Sequence, residues 1–435
     1  MVEATSQQAK NIRSQLLNAP VAPGFYSHLI NVGTDDILDA LERNYFHGEL
    51  ADGIGCFKFL EGDYGSGKTQ FINSLARRAI DNDIVVAIVS IGQECPFNSP
   101  LAIFSAVMSS FAVPNVDATP GNPPKGIEIL LRDWIRRKLA EMGIGQGAHV
   151  PEQARRQVER VFDELWLGAP DPQAAAGLRA LGKRLVAAEC GGSSSVADSE
   201  LIAWVRGQPI RSKALKDAYG LHDPAKDENA FRRMRTVIGF LRQRMGYRGF
   251  LIAFDEGGRI ISFRRGTVKQ RQAIENMLTM INENAEGGFG GVMFLYAATP
   301  DFRSDTIRSY TALNDRIGSV PFLPGSPQTP LIVLERLQSD EMLMQLGSRL
   351  MDIFAKADGI GWREELQRAN MQLLIHTEKV VETLLEVPPR LFVYHCCALL
   401  ADQRQLEREL TVQQMQEFVR THKLPETDDE AQQPA

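Results

Sequence analysis

Apolar residues recur along this chain with two different periods, and the way the two alternate predicts its architecture. An apolar-leaning run at Cys56–Leu60 and apolar runs at Ile84–Ile91, Phe250–Phe254 and Val292–Ala298 are short and rich in β-branched and aromatic residues. Such runs read as strands buried on both faces, which implies a parallel sheet covered by helices on each side. Between them the spacing changes to that of helices. Phe71, Ile72, Leu75, Ala76 and Ala79 form one stripe, and Ile274, Met277, Leu278 and Ile281 another. A helix over Leu101–Phe111 lies between, and Ile37, Leu38 and Leu41 follow an acidic first turn at Asp35 and Asp36.

From about Val113 to Arg235 the pattern is helical throughout, broken by Pro/Gly/Ser loops. Its stripes are Ile127, Leu130, Leu131, Trp134, Ile135 and Leu139, then Val158, Val161, Phe162 and Leu165. Beyond Leu334 it is helical again to about His422, with Val387-Pro388-Pro389-Arg390 opening one helix and a capping box at Thr411 and Gln414 opening the last. The expected organisation is a loosely ordered arm over 1–28 and an α/β core over 29–112 and 236–332. A helical insertion over 113–235, a C-terminal helical domain over 333–423 and a disordered acidic tail over 424–435 complete it.

Composition narrows the function classes. Of 435 residues, 44% are hydrophobic and 23% charged, ordinary for a globular chain, and the net charge of −6 gives no overall field to recruit nucleic acid or acidic membranes. Any such contact must be local. No apolar run approaches the ~20 residues of a spanning helix, and Met1–Gln15 is too polar for a signal peptide, so a cytoplasmic protein without a membrane partner is expected. The five cysteines contain no C-x-x-C pair, which predicts reduced, packed thiols. The seven histidines have no metal-ligand spacing, leaving only a nucleotide-borne Mg²⁺ as an expected metal.

The chemistry centres on Gly62-Asp63-Tyr64-Gly65-Ser66-Gly67-Lys68-Thr69, a full match to G-x-x-x-x-G-K-[ST] between an expected strand and an expected helix. Glycines let successive backbone N–H groups curl around phosphate oxygens, and the helix start points its positive dipole end at the same anion. Lys68 would reach the β- and γ-phosphates, Thr69 would ligate Mg²⁺, and Gln70, next in the chain, joins the nucleotide-binding set. The second landmark is the strand that ends in Asp255-Glu256. There Asp255 would hold the Mg²⁺ shell and Glu256 would polarise the attacking water, although strands ending in acidic residues are common. Thr299, at the end of the Val292–Ala298 run, could place its hydroxyl near the γ-phosphate or serve an ordinary turn. Arg303, Arg308 and Arg316 follow, Arg316 in the most motif-like setting. The cluster Arg259, Arg264, Arg265, Lys269 and Arg271, and the arginines of the insertion, read either as solvated faces or as phosphate-contacting surfaces.

In this order of motifs the chain resembles the AAA+ ATPases, and within them the origin-recognition, Cdc6-like and STAND-like branch. More narrowly, Phe59–Thr69, Ile252–Glu256 and Ala298-Thr299-Pro300 are similar to the ATP-binding proteins of bacteriophage-exclusion (BREX) systems, which accompany methyltransferases and helicases in defence islands. The resemblance covers 29–111 and 236–400. It implies an α/β P-loop NTPase of AAA+ type, with a parallel central sheet, the long helical insertion and a C-terminal helical lid. It implies ATP and Mg²⁺ as ligands, Asp255 and Glu256 as the second acidic motif, Thr299 as first sensor, Arg390 as second sensor and Arg316 as arginine finger. Thr34 stands where the branch carries arginine, and Val387-Pro388 replaces a glycine-containing turn before Arg390. The implied function is Mg-dependent ATP hydrolysis in a homo-oligomeric antiphage component that assembles on other defence-system proteins or double-stranded DNA. A weakly hydrolysing nucleotide-gated switch or scaffold is the alternative, and the missing Asn-Lys-x-Asp signature favours adenine over guanine.

Overall fold

The computed structural model describes residues 4–18, 22–92, 95–112, 124–163, 168–192, 196–255, 266–334 and 339–423. Six strands form one sheet: β1 (Cys56–Glu61), β2 (Ile84–Ser90), β3 (Phe111–Ala112), β4 (Gly249–Asp255), β5 (Val292–Ala298) and β6 (Leu331–Val333). Their spatial order is β3-β2-β4-β5-β1-β6, parallel throughout except for the β2–β3 pair. The continuous apolar runs are explained by this placement. Phe59, Val85, Ala87, Phe250, Ile252, Phe254, Phe294 and Tyr296 enter one core, while Leu60, Val86, Leu251, Ala253, Met293 and Leu295 enter the other. Each large side chain fully buried in this way stabilises the fold by roughly 1.5–3 kcal/mol.

Two short strands escape the sequence pattern. Phe111 was expected to close a helix, but that helix spans Pro100–Ser110, and Phe111 and Ala112 then pair antiparallel with Ala87 and Val86. Leu331–Val333, just after Pro330, adds itself to the outer edge of β1. Both are too short to carry a period of their own.

One face of the sheet is covered by helices Asp35–Leu41 and Lys68–Asp81. On the other face, the helical stretch expected as an insertion shares the sheet's core. Leu130, Leu131, Trp134, Phe162 and Leu181 belong to the same buried cluster as Phe250 and Ile252, and the Trp134 indole N–H donates to Met245 O at 2.8 Å. Five of its arginines pair with acidic neighbours: Arg132 and Arg136 with Glu189, Arg137 with Asp133, Arg155 with Glu159 and Arg156 with Glu152.

Helices Asp340–Asp358, Glu364–Val381, Pro389–Gln403 and Val412–Thr421 build a separate core at the C-terminal side. The segment expected as a loosely ordered arm is part of it. Ser6–Asn18 is a helix whose Ala9, Ile12 and Leu16 are buried in that core, and Arg13 pairs with Asp358. Among the described residues no helix is long and apolar enough to cross a membrane, and all five cysteines are free.

Candidate nucleotide-binding site

β1 runs straight into the glycine-rich loop. Gly65 and Gly67 have φ of +80° and +99°, the left-handed region that a side chain resists, and Gly67 is the residue before helix Lys68–Asp81. Gly62 N donates to Ala298 O at 3.1 Å, tying the loop to the end of β5. In the register, Leu60 and Asp255 both lie beside Ala297, so parallel strands bring the loop and the β4 carboxylate to one sheet edge. There the Thr69 hydroxyl donates to Asp255 Oδ2 at 2.7 Å. Lys68 is buried beneath the loop, and its Nζ donates to Gly62 O at 2.6 Å and Asp63 O at 2.9 Å. The Gln70 side-chain amide donates to Ser27 O at 2.5 Å, which ties the turn Gly24–Leu29 to the loop's helix.

A cavity of about 360 Å³ opens above the loop. Its floor is Tyr64 to Phe71 with Asp255, and its upper walls are apolar: Leu16, Pro23, Ile30 and Val32 from one end of the chain, Met342, Leu346 and Val393 from the other. Those walls carry no local motif, and only the 3-4 spacing of Ala9, Ile12 and Leu16 signals the first of them. Arg349 joins them by donating to Asn31 O and pairing with Asp35 at 3.5 Å. The cavity is thus polar and amide-lined at one end and greasy at the other, the donor set for a phosphate chain bearing a flat heterocycle. Buried polar atoms of its lining fit that ligand: Ser66 Oγ and Arg390 Nε have no partner in the protein.

Lys68, Thr69, Gln70, Asp255 and Arg390 therefore line one cavity, and Thr299, the residue after β5, is not part of that lining. Glu256, Arg259, Arg264 and Arg265 lie outside the described residues, while Lys269 and Arg271 are exposed at the start of helix Val268–Ala285. Arg303 pairs with Glu61 at 3.2 Å and donates to Gly318 O at 2.6 Å, bracing the strand that leads into the loop. Arg316 is not brought to this chain's own loop. It is exposed at the opposite end of β1, beside a smaller cavity of about 230 Å³ that it shares with Tyr45, Cys56, Lys58 and Asn284. Lys58 there is buried, its ammonium donating to Tyr45 OH, Pro327 O and Thr329 O at 2.6, 2.9 and 3.1 Å. Burial pushes it down to about 8.

A family model for the BREX system ATP-binding protein BrxC/D matches residues 6–419. The chain belongs to this family. The match starts at the first residue of helix Ser6–Asn18 and runs through the helical stretch that the motif resemblance left uncovered. BrxC/D membership carries ATP binding and the BREX antiphage setting, and selects no Cdc6-like or STAND-like branch. Neither a curated protein nor a solved structure matches this BrxC/D chain. Among the described residues no cluster of three or more His, Cys, Asp or Glu could hold a metal ion.

Proposed function

We propose that this BrxC/D-family protein is a Mg-dependent ATPase of P-loop, AAA+ type that acts in antiphage defence. The observation that carries the reading is the Thr69–Asp255 hydrogen bond, which joins the glycine-rich loop to the carboxylate two strands away beneath one cavity. Lys68 and the loop amides bind the phosphates. Thr69 and Asp255 hold Mg²⁺, whose charge would neutralise the phosphate oxygens when bound. Thr299 and Arg390 contact the terminal phosphate, and Glu256 takes the proton of the attacking water. Arg316, remote from its own loop, serves as an arginine finger toward the loop of a neighbouring copy, which makes the active unit a homo-oligomer. Other defence-system proteins and double-stranded DNA are the partners on which it assembles in the cytoplasm.

The test is nucleotide binding and turnover by the whole protein. Lys68→Ala is expected to lose ATP binding, Asp255→Ala to lose the gain in affinity that Mg²⁺ gives over EDTA, and Glu256→Gln to bind ATP and fail to hydrolyse it. Equal turnover by Glu256→Gln and wild type would remove Glu256 as the base. A second reading, a nucleotide-gated switch with little turnover, is favoured by the cavity walls, which are drawn from both ends of the chain. It predicts wild-type turnover as low as that of Glu256→Gln, together with an ATP-dependent change in partner binding.

A further inference from the structure

Tyr64, inside the loop, and Arg390, in the first turn of helix Pro389–Gln403, meet at the mouth of the cavity. The guanidinium carbon lies 5.0 Å from the centre of the Tyr64 ring, and Arg390 Nη1 donates to the Tyr64 hydroxyl. Gly65 lets this happen. A β-carbon there would stand 3.3 Å from Arg390 Cβ, so the helix start rests on bare loop backbone. Pro388 and Pro389 stiffen the approach to that helix, and Phe392 anchors it in the C-terminal core.

A guanidinium has two separable binding surfaces, a flat face that stacks on aromatic rings and an in-plane edge of N–H donors that grips oxyanions. The Tyr64 ring lies within cation–π distance of the guanidinium and its hydroxyl accepts from one terminal nitrogen. The Nε–H edge is buried without a partner, on a residue that lines the same cavity as Ser66, Lys68 and Thr69. Without the ring, a long arginine side chain would have to be ordered by the ligand itself.

We propose that Tyr64 is a positioning residue for Arg390. By stacking, it keeps the free N–H edge turned toward the terminal phosphate of a nucleoside triphosphate, and thereby sets the preference for triphosphate over diphosphate. This rests on the nucleotide reading above. A cation–π contact at a partly exposed ring is worth about two- to fivefold in an equilibrium constant.

The experiment is calorimetric titration of the full chain with ATP and with ADP, each with Mg²⁺, for wild type and for Tyr64→Phe, Tyr64→Ala, Arg390→Ala, the Tyr64→Ala/Arg390→Ala double variant and Lys68→Ala. Tyr64→Ala should weaken ATP by about two- to fivefold while leaving ADP unchanged, and should add nothing once Arg390 is absent. Tyr64→Phe keeps the ring and should retain most of the ATP-over-ADP preference. Equal weakening of ATP and ADP by Tyr64→Ala, or an undiminished effect without Arg390, overturns the proposal. Undiminished binding of both nucleotides by Lys68→Ala would instead overturn the nucleotide reading on which it stands.

Discussion

Replacing Gly55 with alanine tests how the foot of β1 is held. The backbone there is not left-handed, so alanine is conformationally acceptable and the cost comes from space alone. The new methyl would lie 1.7 Å from Asn284 Oδ1 and 2.5 Å from its Cγ. Asn284 is buried, and its amide donates to Cys56 O at 2.9 Å and Val292 O at 3.1 Å, pinning the starts of β1 and β5 together. Displacing it forfeits two hydrogen bonds of about 0.5–1.5 kcal/mol each and adds an overpacking strain of about 1–3 kcal/mol. The sum, about 2–6 kcal/mol, corresponds to a fall in melting temperature of roughly 2–7 °C for a chain of this size. Differential scanning calorimetry of Gly55→Ala, Asn284→Ala and the double variant checks it. In the Asn284→Ala background the methyl has room, so Gly55→Ala should cost less than about 0.5 kcal/mol. Additive losses in the double variant would refute the steric account.

Two pH dependences follow from buried titratable groups. Lys58 titrates near 8 in the folded protein against an ordinary 10.5, so below 8 both states are protonated and the fold bears the buried cation, while above 10.5 neither does. Wild type should therefore gain on Lys58→Met by up to about 3 kcal/mol as pH rises through that window; parallel denaturation midpoints at pH 7.5 and 10.5 would refute it. Burial raises the Glu378 carboxyl despite its 2.6 Å contact with His395 Nδ1, and Glu378 Oε2 has no partner. Its stabilising contribution is present at low pH and is lost as pH rises through the folded value. Glu378→Gln should accordingly melt above wild type at pH 7, with the gap closing toward pH 4.5; a pH-independent gap would sink this reading.

The parts of the fold legible in the chain are those whose information is local. The β1, β2, β4 and β5 runs were each placed to within a residue at either end, because strands buried on both faces leave a largely apolar run, broken in β1 only by the buried Lys58. The glycine-rich loop was equally plain, since each fixed position of its pattern answers to backbone geometry or phosphate chemistry. β6 escaped because three residues after a proline become a strand only when β1 is there to pair with. Helix Ser6–Asn18 escaped although Ala9, Ile12 and Leu16 have helical spacing, because its polar composition gives weak periodicity and its partner helix begins only at Asp340. The same separation hid the apolar half of the cavity, which no contiguous stretch encodes. Arg316 was legible as an arginine in a motif-like setting, but only the structure locates it at the far end of β1.

That docking of the first helix onto the last domain has a consequence for how the protein is made. Arg13 and Asp358 are 345 residues apart, and Asn31 and Arg349 are 318 apart. A ribosome adds about 5–20 residues each second, so roughly 20–70 s separate the emergence of the first partner from that of the second. During that time the sheet and its glycine-rich loop can form, while Ile12 and Leu16 wait with no surface to cover them. A chain released before Asp340 would carry the loop without the opposite wall of the cavity. Emergence of the C-terminal helices thus completes the cavity above the loop, and chains that lack them are left with the apolar stripe Ala9, Ile12 and Leu16 exposed, which marks them for chaperones and proteases.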